Sequence, residues 1–215
     1  MTNVGNGVVA WSLALMALSA SVVSCGGGDG GSCGMVASCG GNIVGEWTIT
    51  SSCVAAHGTL GDSSCPTATL TAHATVTGTS SYRADLSYTT NWTLQGSETI
   101  GFPASCLTSG GVTITCDQLN QVFAGAGAPT GASAVRCSNA GGGGCNCVAD
   151  LAQQTMSEIG TYTTSGVTVN TTPAGSTTSD PSGYCVQGNR LDLTPPTTMM
   201  DASLTTTGDI TMMRQ

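Results

Sequence analysis

Apolar and polar residues alternate strictly in several short runs of the chain. Leu70, Ala72, Ala74 and Val76 share one parity, while Thr71, His73, Thr75 and Thr77 take the other. Val112-Thr113-Ile114-Thr115, Val167-Thr168-Val169-Asn170 and Leu191-Asp192-Leu193-Thr194 repeat the pattern. A period of two sends alternate side chains to opposite faces of a strand, so each run offers one dry and one wet face. That is the pattern of antiparallel strands over a single core. Turn signals at 78–80, 109–111, 165–166, 188–189 and 207–208 separate the runs. Strands are predicted at 43–52, 68–77, 82–93, 97–102, 112–116, 145–157, 160–170, 184–193 and 208–214. Longer loops are predicted at 124–133, 138–144 and 173–183. Helix is confined to a short turn at 117–123 and to 151–159, and the latter equally continues a strand from Cys145. An all-β, antiparallel domain of about eight strands follows, as a sandwich or an up-and-down barrel. A barrel leaves no open edge, which suits a Thr-rich sheet without lysine.

The first residues follow a different rule. Residues 8–20 form an apolar run the length of a signal-peptide core and too short to span a bilayer comfortably. Val22-Val23-Ser24-Cys25 after it resembles the bacterial lipobox, although the preceding MTNVGNG lacks Lys and Arg. The resemblance implies cleavage before Cys25 and lipidation of that residue. Gly26-Gly27-Gly28-Asp29-Gly30-Gly31 then reads as a flexible tether. The expected division is a signal peptide at 1–24, a lipidated Cys and Gly-rich linker at 25–42, and one domain at 43–215.

Cysteine use agrees with export. The chain has 11 Cys among 215 residues, and setting Cys25 aside leaves an even number for disulfides in an oxidising compartment. Sequence proximity favours Cys33 with Cys39, Cys53 with Cys65 and Cys106 with Cys116, leaving Cys137, Cys145, Cys147 and Cys185 to share the rest. Cys145-Asn146-Cys147 lacks the spacing of a zinc knuckle, so no metal is expected.

Gly45-Glu46-Trp47 resembles the lipocalin-like, or calycin, barrels, which carry Gly-x-Trp on the first strand. In that family a cation from the last strands packs across the Trp and closes the barrel. Ile210, Met212 and Arg214 share one parity, so Arg214 falls on the dry face, where stacking on Trp47 gives it a physical reason. The stretches at 161–167 and 184–191 also look like envelope lipoproteins of myxobacterial type with such barrels. The resemblance implies a lipocalin-like, disulfide-stabilised up-and-down barrel around a small apolar cavity. Two features depart from it: aromatics are only 4% of the chain, and the Cys- and Gly-rich insertion at 137–147 is unusual.

Charge and chemistry narrow the function. With four Arg and a formal charge of −8, the chain lacks the clustered cations that nucleic acid requires. His57, placed in a loop between Cys53 and Cys65, and His73, on the wet face of its strand, read as surface residues. Gly61-Asp62-Ser63-Ser64 superficially resembles an esterase nucleophile block, but no His follows at a useful distance. The Gly run at 141–144 is followed by no Lys or Arg to make it a phosphate loop. Arg83 and Asp85 share a parity and read as a surface ion pair. No enzyme activity and no cofactor are expected.

Two roles remain. One is a lipid-anchored envelope lipoprotein, at the outer membrane, binding a small apolar or amphipathic ligand inside the barrel. Its candidate lining is Trp47, Ile49, Leu70, Val76, Leu86, Tyr88 and Val169, with Ala72, Ala74 and Ala84 leaving room. The alternative is a non-catalytic structural or protein-interaction module of the envelope with a solid core, working through the loops at 124–144 and 173–183.

Overall fold

The computed structural model describes residues 33, 36–60, 65–109, 111–126, 132–194 and 204–215. The signal segment, Cys25, the glycine tether and residues 61–64 lie outside them. The described chain is all-β apart from one short helix and a 3₁₀ turn. Its strands are β1 (Gly45–Thr59), β2 (Thr69–Tyr82), β3 (Ser87–Phe102), β4 (Thr108–Ser109), β5 (Val112–Thr113), β6 (Ala132–Asn139), β7 (Cys145–Ser165), β8 (Thr168–Pro173), β9 (Asp180–Gln187), β10 (Arg190–Leu193) and β11 (Leu204–Arg214). The 3₁₀ turn is Ala104–Leu107, and the helix α1 (Cys116–Ala126) begins where the sequence predicts it.

Eight strands close a ring in the order β1, β2, β3, β7, β8, β9, β10, β11, each antiparallel to its neighbours. This is an up-and-down barrel with one insertion. The segment carrying β4, β5, α1 and β6 enters between the third and fourth staves, and β6 adds to the outer edge of β7. The alternation of β2 is as predicted: Leu70, Ala72, Ala74 and Val76 are buried and Thr69, Thr71 and His73 exposed.

Bulges explain where the predicted strands went wrong. On β1 the inward parity is odd at Trp47 and Ile49 and even at Ser52, Val54 and Ala56, because the ladder slips between Ile49 and Ser51. The extra residue bends the strand and leaves the backbone of Val76 without a β1 partner. Ser52 repairs this: its buried hydroxyl accepts the Val76 N–H at 2.9 Å and donates to the Val76 carbonyl at 3.0 Å. A second slip, where Leu94 pairs with Gln154 but Gly96 with Leu151, switches parity within β7. The resulting five-residue spacing between the inward Leu151 and Met156 mimics a helix, yet 151–159 is strand. Strands expected at 145–157 and 160–170 are mainly one strand, β7. In the same way β3 absorbs 97–102, whereas 184–193 splits into β9 and β10 at the expected Gly188-Asn189 turn.

Other expectations are corrected. Gly78 and Gly208 lie inside strands and mark no turn. At Gly208 a Cβ would sit 2.0 Å from the Cys53 carbonyl oxygen, so glycine there permits a close approach of β11 to β1. The region 112–116 holds only the two-residue β5 before α1 starts. Arg83, Ala84, Asp85 and Leu86 form a tight turn between β2 and β3. The Leu86 N–H donates to the Arg83 carbonyl, and Leu86 has φ of 66° and is 50% exposed. Neither the Arg83–Asp85 parity nor a lining role for Leu86 and Ala84 survives. Asp85 instead accepts from the hydroxyl and N–H of Ser87, which hold its carboxyl below the usual range. His57 lies on β1 rather than in a loop; it and His73 are on the exposed outer face.

The disulfides are Cys33–Cys53, Cys39–Cys185, Cys65–Cys106, Cys116–Cys145 and Cys137–Cys147. None of the three nearest-neighbour pairings forms. Proximity in sequence lowers loop entropy only weakly, whereas strand pairing decides which Cβ atoms meet: Cys137 and Cys147 are direct partners across β6 and β7. Cys39–Cys185 spans 146 residues and restrains the unfolded chain most in the loop-entropy account. Around it, Cys39 and Gly40 donate backbone N–H groups to the Tyr184 carbonyl, and Val186 donates to that of Gly40. The folded unit therefore begins upstream of residue 43, within the expected linker.

Ser52→Ala should remove both repairs of the β1 bulge and leave a buried N–H and C=O unpaired. A loss of about 1–3 kcal/mol is expected, measured by denaturant unfolding of the oxidised chain.

Candidate functional site

One end of the barrel is filled by large side chains. Trp47 is 0% exposed and its indole donates to the Ile43 carbonyl at 2.8 Å. Arg214, paired with it across β1 and β11, lies over the ring at 4.6 Å, as the parity of β11 predicts. Its guanidinium also donates to the Asn42 carbonyl. Gly45 makes room for this stack: it has φ of +153°, and a Cβ there would stand 3.4 Å from the guanidinium carbon and 3.5 Å from the indole nitrogen.

All four tyrosines of the chain are buried. Tyr82 meets Tyr162 edge-on at 5.2 Å and stacks with Tyr88 at 6.3 Å. Tyr162 donates to the Arg83 carbonyl and Tyr184 to that of Gly41, pinning the turns at this end. Tyr88 donates to the Glu158 carboxylate. Burial, that hydrogen bond and the Glu158 charge push the Tyr88 hydroxyl up, and Asp180 adds to the effect. Burial and Glu158 also raise Tyr82.

The sequence-predicted lining residues Trp47, Ile49, Leu70, Val76, Tyr88 and Val169 do point inward, and none is more than 8% exposed. All but Leu70 belong to one packed cluster with Leu191, Met212 and Tyr184. Leu86 is the exception, in its exposed turn. The sequence reading missed Tyr82, Tyr162, Tyr184 and Leu191 as interior residues, although the alternation of 191–194 signalled the last.

The opposite half differs. Strands β1, β2, β3 and β7 run for 14 to 21 residues, but β8, β9 and β10 for only 6, 8 and 4. Among the described strands, β7 pairs with β6 up to Leu151 and with β8 from Gly160, and between them 152–159 form a ladder with β3, the Ile159 carbonyl also accepting from Ala174. Among the same strands, β10 stops at the Leu193–Ile210 pair, and β11 from Asp209 back to Leu204 forms a ladder with β1.

The inner face of β3 and β7 beside these shorter strands carries Trp92, Leu151 and Met156, all partly buried against the core; Glu158, next inward on β7, is the acceptor of Tyr88. The Trp92 indole donates to the Ser80 hydroxyl. Glu98, inward on β3, faces Ala72 on β2 and Ala149 on β7, and burial pushes its carboxyl up. On the β11 side, Thr206 is 5% exposed, points inward opposite Ala56, and its hydroxyl has no partner. The Thr194 hydroxyl, at the end of β10, is likewise buried without a partner. Among the described residues, inward cations are limited to Arg214, at the far end; Arg136 and Arg190 pair with Asp150 and Asp192 on other faces.

The described chain is thus an antiparallel barrel with eight strands in a ring, one end filled by large side chains, and five disulfides. Comparison with known protein families, with curated proteins and with solved structures yields no match.

Two outcomes are expected. Arg214→Ala should cost about 1 kcal/mol by loss of the cation–π stack, and Arg214→Lys less, in denaturant unfolding. For Glu98, the folded pKa lies above the unfolded one, so ionisation costs stability as pH rises from the ordinary carboxylate value through the raised one. Glu98→Gln should therefore raise the melting temperature at neutral pH and leave it unchanged near pH 3.

Proposed function

We propose that this chain is a lipid-anchored module of the cell envelope that works by binding other macromolecules, its barrel serving as a solid, cross-linked support. The observation carrying this reading is the packed interior: the residues that would line a ligand cup fill one another's space. The lipobox-like Val22-Val23-Ser24-Cys25 supports the anchor, with Cys25 as the acylated residue. Ten described cysteines joined in five disulfides support an oxidising compartment. The Gly-x-Trp and Arg214 geometry supports kinship with lipocalin-like barrels, including those of the outer membrane, without requiring their cavity.

The loops first considered for interaction change character. Residues 124–144 hold the end of α1 and β6, and 173–183 reduce to a short turn between β8 and β9. A carrier of a small amphipathic ligand is the second reading, favoured by Trp92, Leu151 and Met156, which are only partly buried against the core.

Native mass spectrometry of the full oxidised chain, recovered from the cells that produce it, separates the two. A mass equal to chain plus lipid is expected. A further small molecule that survives native spraying and leaves on denaturation would replace the module by the carrier.

A further inference from the structure

The chain has two histidines, His57 and His73, and folding makes them neighbours. Across β1 and β2 the register pairs His57 with Thr71 and Ala55 with His73. From the Val54–Ala74 pair to the Thr59–Thr69 pair that ladder has no slip. His57 and His73 therefore occupy one diagonal of a four-residue cell whose other corners are Ala55 and Thr71. Diagonal neighbours on one face of an antiparallel pair lie about 7–8 Å apart, their Cβ atoms somewhat less. Both side chains are on the outer face and exposed. Neither imidazole is engaged in a hydrogen bond or ion pair with another described residue.

The backbone beneath them is fixed. Each of the two strands is paired on both sides: His57 stands between Thr205 of β11 and Thr71 of β2, and His73 between Ala55 of β1 and Ser97 of β3. The inward residues flanking them, Val54, Ala56, Ala72 and Ala74, are buried in the main core cluster. Packing therefore sets where each histidine Cβ points and leaves only the side-chain torsions free. Ala55, directly opposite His73, is a single methyl group and leaves room for the His57 ring to lean toward its neighbour. The surrounding outward residues Thr71, Ser97, Thr99, Thr205 and Thr207 are uncharged. None of them repels a cation, and the chain's net charge of −8 attracts one.

Neutral imidazole is a ligand for Cu²⁺, Ni²⁺ and Zn²⁺. Two nitrogens, each about 2 Å from one ion, stand about 3 Å apart in neighbouring coordination positions. Two rings on one diagonal reach that separation by leaning toward each other. From these observations we propose that His57 and His73 form a two-imidazole site on the outer wall of the barrel for a divalent late transition metal, Cu²⁺ above all. Two nitrogens with water oxygens in the remaining positions make the tetragonal N,O set that suits Cu²⁺, and Cu²⁺ also stands highest in the general affinity order. Zn²⁺, which in structural sites takes four protein ligands, fits less well. The described cysteines are all in disulfides, so no described thiolate competes for the ion. The site goes beyond the module and carrier readings and depends on neither.

The test titrates Cu²⁺, and separately Zn²⁺, into the full oxidised chain with the Cys25 thiol blocked by lipid or by alkylation. Binding is followed by calorimetry and by electron paramagnetic resonance. A single Cu²⁺ per chain is expected, coupled to two imidazole nitrogens and held at least about tenfold more tightly than Zn²⁺. His57→Gln and His73→Gln should each weaken Cu²⁺ binding about tenfold or more, because either change breaks the same chelate. Independent surface histidines would instead take two ions and lose one with each substitution. The nitrogen couplings are read on the unaltered chain, which covers a variant that does not fold. Two independent ions, coupling to one nitrogen only, a substitution without effect, or tight binding that survives in the double variant would overturn the proposal. A bound metal is told from an organic ligand in the native mass by its isotope pattern and its release to a chelator, so this site and the module reading fail separately.

Discussion

The ladder between β3 and β7 carries this architecture. It joins the first three staves to the last five, from the Ser87–Thr161 pair to the Phe102–Cys145 pair. Without it the chain would be two twisted sheets, each with edges to cover. Because β7 is 21 residues long, it also serves two further partners along its other side, β6 and β8, at different heights. The insertion between β3 and β7 is thus tied to the barrel at the strand that closes it. Cys116–Cys145 and Cys137–Cys147 fasten the start of that strand to α1 and β6.

Closure and filling are linked. A chain with 4% aromatic residues has few large side chains to spend, and it concentrates them where all staves are present. Trp47 and the four tyrosines occupy that end, with the indole and the hydroxyls of Tyr162 and Tyr184 directed to backbone carbonyls and that of Tyr88 to Glu158. Where the staves run out, the inner face turns to Ala56, Ala72, Ala74 and Ala149, interrupted by Glu98 and Thr206. Buried polar groups without partners cost stability, so the Thr194 and Thr206 hydroxyls are held there at a cost.

Much of this was legible in the sequence for a simple reason. Period-two alternation depends only on one face being dry, and it survives in β2, in β10 and in the inward parity of Ile210, Met212 and Arg214. The Trp47–Arg214 contact followed from that parity together with the Gly-x-Trp motif. The start of α1 and the turns at 165–166 and 188–189 were signalled by local residue chemistry, which acts over a few positions. An even set of ten cysteines beyond Cys25 foretold disulfides, though not their partners.

What tertiary structure alone decided involves residues that meet from afar. Bulges shift inward parity without leaving a local mark, so 151–159 looked helical and β1 appeared to end early. The edge strand β6 has a weak alternation and is stabilised by Asn120 and Cys147, both distant in sequence from most of it. Disulfide partners depend on which strands adjoin. The mismatch between the 21 residues of β7 and the 6, 8 and 4 of β8, β9 and β10 is a relation between strands that no single run of residues contains. Sequence determined that the chain forms a disulfide-bonded antiparallel barrel, because burial of one strand face is a local pattern. The register of distant strands decided which side chains fill that barrel together and which cysteines meet.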